Sequence, residues 1–129
     1  MIDGKIRSFR DLIAWQEGHT LVVSVYKVTK GFPREEMYSL TDQMRRAAAS
    51  ITANIAEGFG RHTFKEKVQF YYMAQGSLLE VKNFIFIAKD VGYLDEEAAK
   101  MLHGQIDQAH RLLQGLIQKT KSFSISKSS

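Results

Sequence analysis

LTDQMRRAAASITANIAEGFGR, Leu40–Arg61, is the stretch that decides the fold. Leu40, Met44, Ala47, Ile51 and Ile55 recur every three or four residues, so they share one stripe of a helix with 3.6 residues per turn. Ser39 stands before it as an N-cap, and Gly58 and Gly60 stand where it is expected to stop. From Ala47 to Ala56 the segment holds no charge, and Ala48, Ala49, Ser50, Thr52 and Ala53 complete its circumference with small side chains. A helix that is apolar or small all round is covered on several sides, whereas a four-helix monomer covers only about half of each helix. The remaining face is therefore expected to meet a second subunit.

The same periodicity extends in both directions. Upstream, Ser8 offers an N-cap, and Leu12, Trp15, His19, Val22, Tyr26 and Thr29 form a stripe that predicts a helix over about 9–30. Gly31 and Phe32-Pro33 end it, because a residue before proline is pushed out of the α region. A short helical turn is expected within Arg34–Tyr38, and the central helix covers about 39–59. Downstream, Thr63-Phe64-Lys65-Glu66 reads as a capping box that opens a helix over 64–90. Its stripe is Val68, Tyr71, Ala74 or Gln75, Leu78, Val81, Ile85 and Ala88, while Phe70, Tyr72, Met73, Phe84 and Phe86 fall outside it and again suggest self-association. Gly92 marks a turn, and Asp95 caps a fourth helix over 95–119 that carries Ala98, Leu102, Ile106, Ala109, Leu113 and Leu116. The Ser/Lys-rich tail 120–129 is expected to fray. Pro33 is the one proline in 129 residues. These features predict an all-α, antiparallel up-down-up-down four-helix bundle spanning 1–129 as a single domain.

Composition excludes several kinds of chemistry. The absence of cysteine removes disulfides, thiolate metal sites and a cysteine nucleophile, and fits a reducing cytoplasm. The N-terminus has no apolar h-region, and no window approaches the roughly 18 apolar residues of a membrane span, so neither export nor membrane insertion is expected. Asp107-Gln-Ala-His110 is a lone approach to a carboxylate-bridged di-metal motif, which needs two such pairs and two further glutamates, so no metal is expected. His19, His62, His103 and His110 make no zinc-protease pattern, and His19 is placed on the apolar stripe as a hydrogen-bonded core residue. Gly58-Phe59-Gly60 closes a helix rather than opening one, so it is no phosphate loop. With no nucleophile, base and orienting group in one pattern, the chain reads as a non-enzyme without cofactor.

Charge is the remaining signal. A formal net charge of +4 and an isoelectric point near 9.4 favour an acidic partner such as RNA. Candidate phosphate contacts are Lys5, Arg7 and Arg10, then Arg45 and Arg46, then Arg61, Lys65 and Lys67; after Asp107 follow Arg111, Lys119, Lys121 and Lys127 with no acid. The same residues would equally serve as a solvated face. The aromatic residues sit mainly at core spacing, which argues against a base-stacking platform. Asn54 lies among small residues, where its amide needs partners or costs about 1–3 kcal/mol, and is read as a register-setting polar residue. Glu57 can pair with Arg61 at i,i+4.

Phe9-x-Asp11-Leu12-x-x-Trp15-Gln16, Phe32-Pro33 with Glu36, Leu40 with Gln43, Arg45-Arg46-Ala47, Ser50-Ile51, Asn54-Ile55-Ala56-Glu57-Gly58, Gly76-Ser77 with Glu80, and Gly92-Tyr93 together resemble the bacterial four-helix bundle family. That family is also called the S23 ribosomal or 23S rRNA intervening-sequence protein family. The resemblance spans roughly residues 9–117 and implies an antiparallel four-helix bundle that forms a homopentamer without enzymatic activity. It also implies similarity to the accessory variability proteins of diversity-generating retroelements, basic pentamers that bind nucleic acid and a reverse transcriptase. By the match, Arg45, Arg46, Asn54, Glu57 and Glu80 occupy the family's recurrent polar positions. The sequence thus predicts a cytoplasmic, non-enzymatic homo-oligomer that is RNA-associated or a scaffold, the alternative being a protein-binding adaptor with no nucleic-acid role.

Overall fold

Leu12, extended at φ −73° and ψ 125°, divides the expected first helix in two. The computed structural model describes residues 5–128, with side chains as far as Ser124. Ser8 caps a single 3₁₀ turn, Phe9–Asp11, rather than the α-helix beyond it. Its hydroxyl accepts from the Arg10 amide at 3.2 Å while the Asp11 carboxylate accepts from the Ser8 amide at 3.1 Å. Helix α1 then runs Ile13–Thr29.

The exit from α1 depends on Phe32-Pro33 rather than on a left-handed Gly31. Among the described residues only Gly92 has a positive φ, at 88°. Phe32 is buried, and a second 3₁₀ turn, Arg34–Glu36, leads to α2, Leu40–Phe59. Ser39 makes no side-chain cap. Glu36 fills that role, its Oε1 accepting from the Leu40 amide at 3.3 Å. Gly58 lies inside α2, and Gly60 is its C-cap.

Helix α3 spans Phe64–Asp90, with the Thr63 hydroxyl accepting from the Glu66 amide at 3.1 Å. Helix α4 spans Glu96–Ser128, capped by Asp95 Oδ1 on the Ala98 amide at 2.7 Å. It does not end at Lys119. Thr120 is buried with its hydroxyl on the Leu116 carbonyl, and Phe123 rests against Phe64, so the tail keeps an inward-facing row despite its Ser/Lys composition.

Helix α2 packs on α1 and α3, and α4 packs on α3 and α1, with no backbone contact across the diagonals among the described residues. Short connections between successive helices make this square antiparallel, up-down-up-down. Leu21, Val25, Met44, Ile51, Ile55, Tyr71, Leu78, Val81, Ile85, Leu102 and Leu113 fill its interior.

The buried face of α1 differs from the predicted stripe. Ala14, Gly18, Leu21, Val25 and Thr29 face the core, while His19 and Tyr26 are exposed and Trp15 and Val22 are half-buried. Two apolar stripes run side by side on α1, and close approach selects the one with small residues. A Cβ at Gly18 would stand 3.3 Å from Thr52 Cγ2 and 3.4 Å from Ile51 Cγ2 of α2. On α4, Ala99 and Ile117 complete the buried row, with Ala98 and Leu116 half-buried. No helix among the described residues is long and apolar enough to cross a membrane.

Candidate nucleic-acid interface

The antiparallel order brings the start of α1, the end of α2, the start of α3 and the end of α4 to one end of the bundle. That end gathers Lys5, Arg7, Arg10, Arg61, Lys65, Lys67, Lys119 and Lys121 against Asp11, Glu57 and Glu66, while Arg111 stands near the middle of α4, one turn from Asp107. At the opposite end, cations such as Lys30, Arg34, Lys89 and Lys100 mix with Glu35, Glu36, Asp42, Asp90, Asp95, Glu96 and Glu97. The excess positive charge is thus confined to the Arg61 end.

The predicted basic residues are therefore not one surface. Arg45 and Arg46 begin α2, some fifteen residues or about 22 Å of helix from Arg61. Arg45 turns inward: its Nε donates to Thr29 Oγ1 at 2.9 Å and its guanidinium lies 4.8 Å from the Tyr26 ring centre. Arg46 is exposed and paired with Asp42 at 3.0 Å.

At the Arg61 end some cations are also committed. Arg61 bonds Glu57 Oε2 at 2.7 Å and lies 4.5 Å from the Phe70 ring centre. Lys67 donates to the Phe59 carbonyl at 2.6 Å, closing the last turn of α2, and burial lowers its pKa. Lys121 bonds the Tyr72 hydroxyl and covers that ring. Arg7, Arg10, Lys65, Arg111 and Lys119 are exposed and form no ion pair among the described residues. A shallow cavity of about 370 Å³ lies between Ala53, Ala56, Glu57, Gly60, Arg61, His62 and Glu66, and none of those five cations lines it.

The polar residues of α2 divide by role. Asn54 Nδ2 donates to the Ser50 carbonyl at 2.9 Å and to Ser50 Oγ at 3.0 Å, and Ser77 Oγ of α3 donates to the same Ser50 Oγ at 3.0 Å. Asn54 is thus tied to α3 through Ser50. Glu80 is exposed. So are Ala49 and Ala53 on the back of α2, and Met73, Leu79 and Ile87 on α3.

Spacing did not reveal the tie between the two connections at the opposite end. Tyr93, between α3 and α4, donates its hydroxyl to Glu36 Oε2 at 2.7 Å, and its ring packs on Phe32. That bond holds the Glu36 carboxyl below its usual range and pushes the Tyr93 hydroxyl up. Glu36 and Tyr93 were visible only as resemblance positions. The role of Lys67 as a C-terminal cap had no sequence signal either.

The histidines are scattered. His19 is not a core residue but stacks on Trp15, with centroids 4.8 Å apart and planes 10° apart, facing solvent. His103 lies against Phe86, both its ring nitrogens buried and without hydrogen-bond partners. Its pKa is lowered first by that burial and then by Lys82 and Lys89 of α3, against an opposing pull from Asp107. His110 Nε2 meets the Gln75 amide at 3.0 Å. Among the described residues no three of His, Asp and Glu converge as a metal site would require.

Residues 10–115 match the 23S rRNA-intervening sequence protein family. The chain belongs to that family. Its fold is similar to the crystal structure of a protein of unknown function from the S23 ribosomal protein family of Bacteroides thetaiotaomicron, at 17% identity and a TM-score of 0.76. The similarity covers 82% of this chain and 96% of that one. No curated protein matches the sequence. Within the family match lie Arg10, Arg45, Arg46, Arg61, Lys65, Lys67 and Arg111, while Lys5, Arg7, Lys119 and Lys121 fall outside it.

Proposed function

We propose that this family member is a non-enzymatic, self-associating bundle that holds RNA by its phosphate backbone at the Arg61 end. The observation that carries the reading is the set of exposed cations there that form no ion pair among the described residues, Arg7, Arg10, Lys65 and Lys119, at the end that holds the positive excess. Point charges of this kind recognise phosphate without reading bases. The family's name, which refers to 23S rRNA intervening sequences, supports RNA as the first nucleic acid to test. Arg45 and Arg46 lie outside this surface.

Self-association is supported by the exposed, charge-free back of α2 at Ala49 and Ala53 and by Met73, Leu79 and Ile87 on α3. A closed ring would repeat the basic end around its axis and multiply a modest charge per chain. The resemblance noted above implies five copies. The test is a fluorescence-anisotropy titration of a structured RNA at roughly 50 and 200 mM salt, with light scattering on the same sample. The expected outcome is binding that weakens steeply with salt, by a particle larger than one chain. Absence of binding at the lower salt would overturn the RNA reading, and a monomer at micromolar concentration would overturn the oligomer.

A further inference from the structure

On the side of the bundle where the start of α1 meets α4, a cavity of about 370 Å³ is walled by Ile6, Leu12, Ile13, Ala14, Leu112 and Leu116. Ile13 is 62% exposed and Ile6 44%, so two β-branched apolar side chains stand in solvent at its mouth. Gly115 lies in the lining, and a Cβ there would meet nothing within 4 Å. Arg111 and Lys119 lie one turn to either side of Gly115, about 12 Å apart along α4, and both border the cavity.

Neither of these two cations forms an ion pair among the described residues. The one acid at the rim, Asp11, is turned to its own chain, its Oδ2 accepting from the Arg7 amide at 2.9 Å and the Ser8 amide at 3.1 Å. A phosphate backbone needs the cations but has no use for an apolar floor. A neutral hydrocarbon needs the floor but not the cations. A ligand that satisfies both has an extended apolar body and one terminal anion.

We propose that this cleft binds a free, single-chain alkyl carboxylic acid, its chain lying over Gly115 between Leu112, Leu116 and Ile13 and its carboxylate meeting Arg111 or Lys119. The cleft shares Lys119 with the proposed RNA surface, whereas Gly115 contributes no charge to that surface, so Gly115→Leu tests the cleft separately. Binding is measured by isothermal titration calorimetry of the intact chain with dodecanoate below its micelle concentration, and with dodecyltrimethylammonium as the probe of opposite charge. Dodecanoate is expected to bind saturably, one per chain, at least about tenfold more tightly than the cationic probe. Gly115→Leu fills the slot and is expected to abolish binding while raising thermal stability, because glycine weakens a helix interior and the new side chain meets open space. Arg111→Gln with Lys119→Gln is expected to retain a weak affinity that no longer distinguishes the two head groups. Equal binding of both probes by the unaltered protein, or dodecanoate binding undiminished in Gly115→Leu, would overturn the proposal. So would adsorption to phosphatidylglycerol vesicles without saturable dodecanoate binding, which would assign the cleft to a lipid surface. A change of oligomeric mass in Gly115→Leu without dodecanoate binding to the unaltered protein would also overturn it, in favour of subunit packing.

Discussion

The two ends of the bundle differ in their charge balance and in what holds them together. At the Glu36 end several charged groups serve the fold: Glu36 caps α2 and accepts from Tyr93, Arg45 is bonded to Thr29 over Tyr26, Lys89 meets Glu96 at 3.5 Å, and the remaining cations there are balanced by acids. At the Arg61 end the corner is set by shape, with Gly58 of α2 against Tyr71 of α3, and several cations are left facing solvent. Cations that are not needed for folding can be given to a ligand without loosening the helices. Net charge alone conceals this division, because the chain as a whole carries only +4.

The largest expected effect tests whether shape sets the Arg61 end. A Cβ at Gly58 would lie 2.7 Å from Tyr71 Cε1 and 3.0 Å from Phe70 Cβ, so Gly58→Ala forces a buried ring to move. Urea denaturation is expected to show a loss of about 1–3 kcal/mol, despite alanine's better helix propensity. An unchanged midpoint would mean that α2 and α3 separate there freely.

Glu36→Ala removes a cap and an inter-connection bond together, and a smaller loss is expected, seen as a lower Tm with RNA affinity unchanged. Tyr93→Phe should reproduce part of that loss, and a Tyr93→Phe protein with unaltered Tm would show that the bond does not hold this end.

Alkaline pH distinguishes the two tyrosines. Burial pushes the Tyr71 hydroxyl up to about 12, from an unfolded value near 10. The protonated form is favoured by folding, so its contribution is complete below pH 10 and is lost as pH rises from about 10 to 12. Tyr93 is raised for a different reason, its bond to Glu36. Between about pH 10 and 12, Tyr71→Phe is expected to flatten the decline in urea midpoint more than Tyr93→Phe does. The smallest effect is that of Lys65→Gln on stability, expected within about 0.5 kcal/mol because the side chain is exposed and unpaired.

Much of this architecture is legible in the chain because α2 carries one dominant stripe: Met44, Ala47, Ile51 and Ile55 are all buried as their spacing requires. The face of α1 was misread because it carries two stripes, and only the partner helix decides between them, through the fit of Gly18 against Ile51 and Thr52. Gly58 is conspicuous as a glycine, but its meaning depends on Tyr71, thirteen residues away across a turn, so it reads as a stop when it is a contact. The tail beyond Lys119 looked polar because single inward residues such as Thr120 are a weak signal until Leu116 and Phe64 are placed beside them. The candidate interface was legible as residue types but not as a place. Arg45 and Arg46 are consecutive with the other cations in a list of charges, yet antiparallel folding sends them to the opposite end. The Glu36–Tyr93 bond joins residues 57 apart, beyond the reach of any periodicity.

The central claim, that the Arg61 end and not the Glu36 end meets phosphate, is tested most directly by one paired salt titration of RNA binding. Lys65→Gln with Lys119→Gln neutralises two exposed cations at the Arg61 end, and Arg34→Gln with Lys100→Gln does the same at the other. The first pair is expected to weaken binding uniformly across RNA sequences and to reduce the salt slope by about two, with the second leaving both unchanged. Equal losses from the two pairs, or a larger loss from Arg34 and Lys100, would contradict the account.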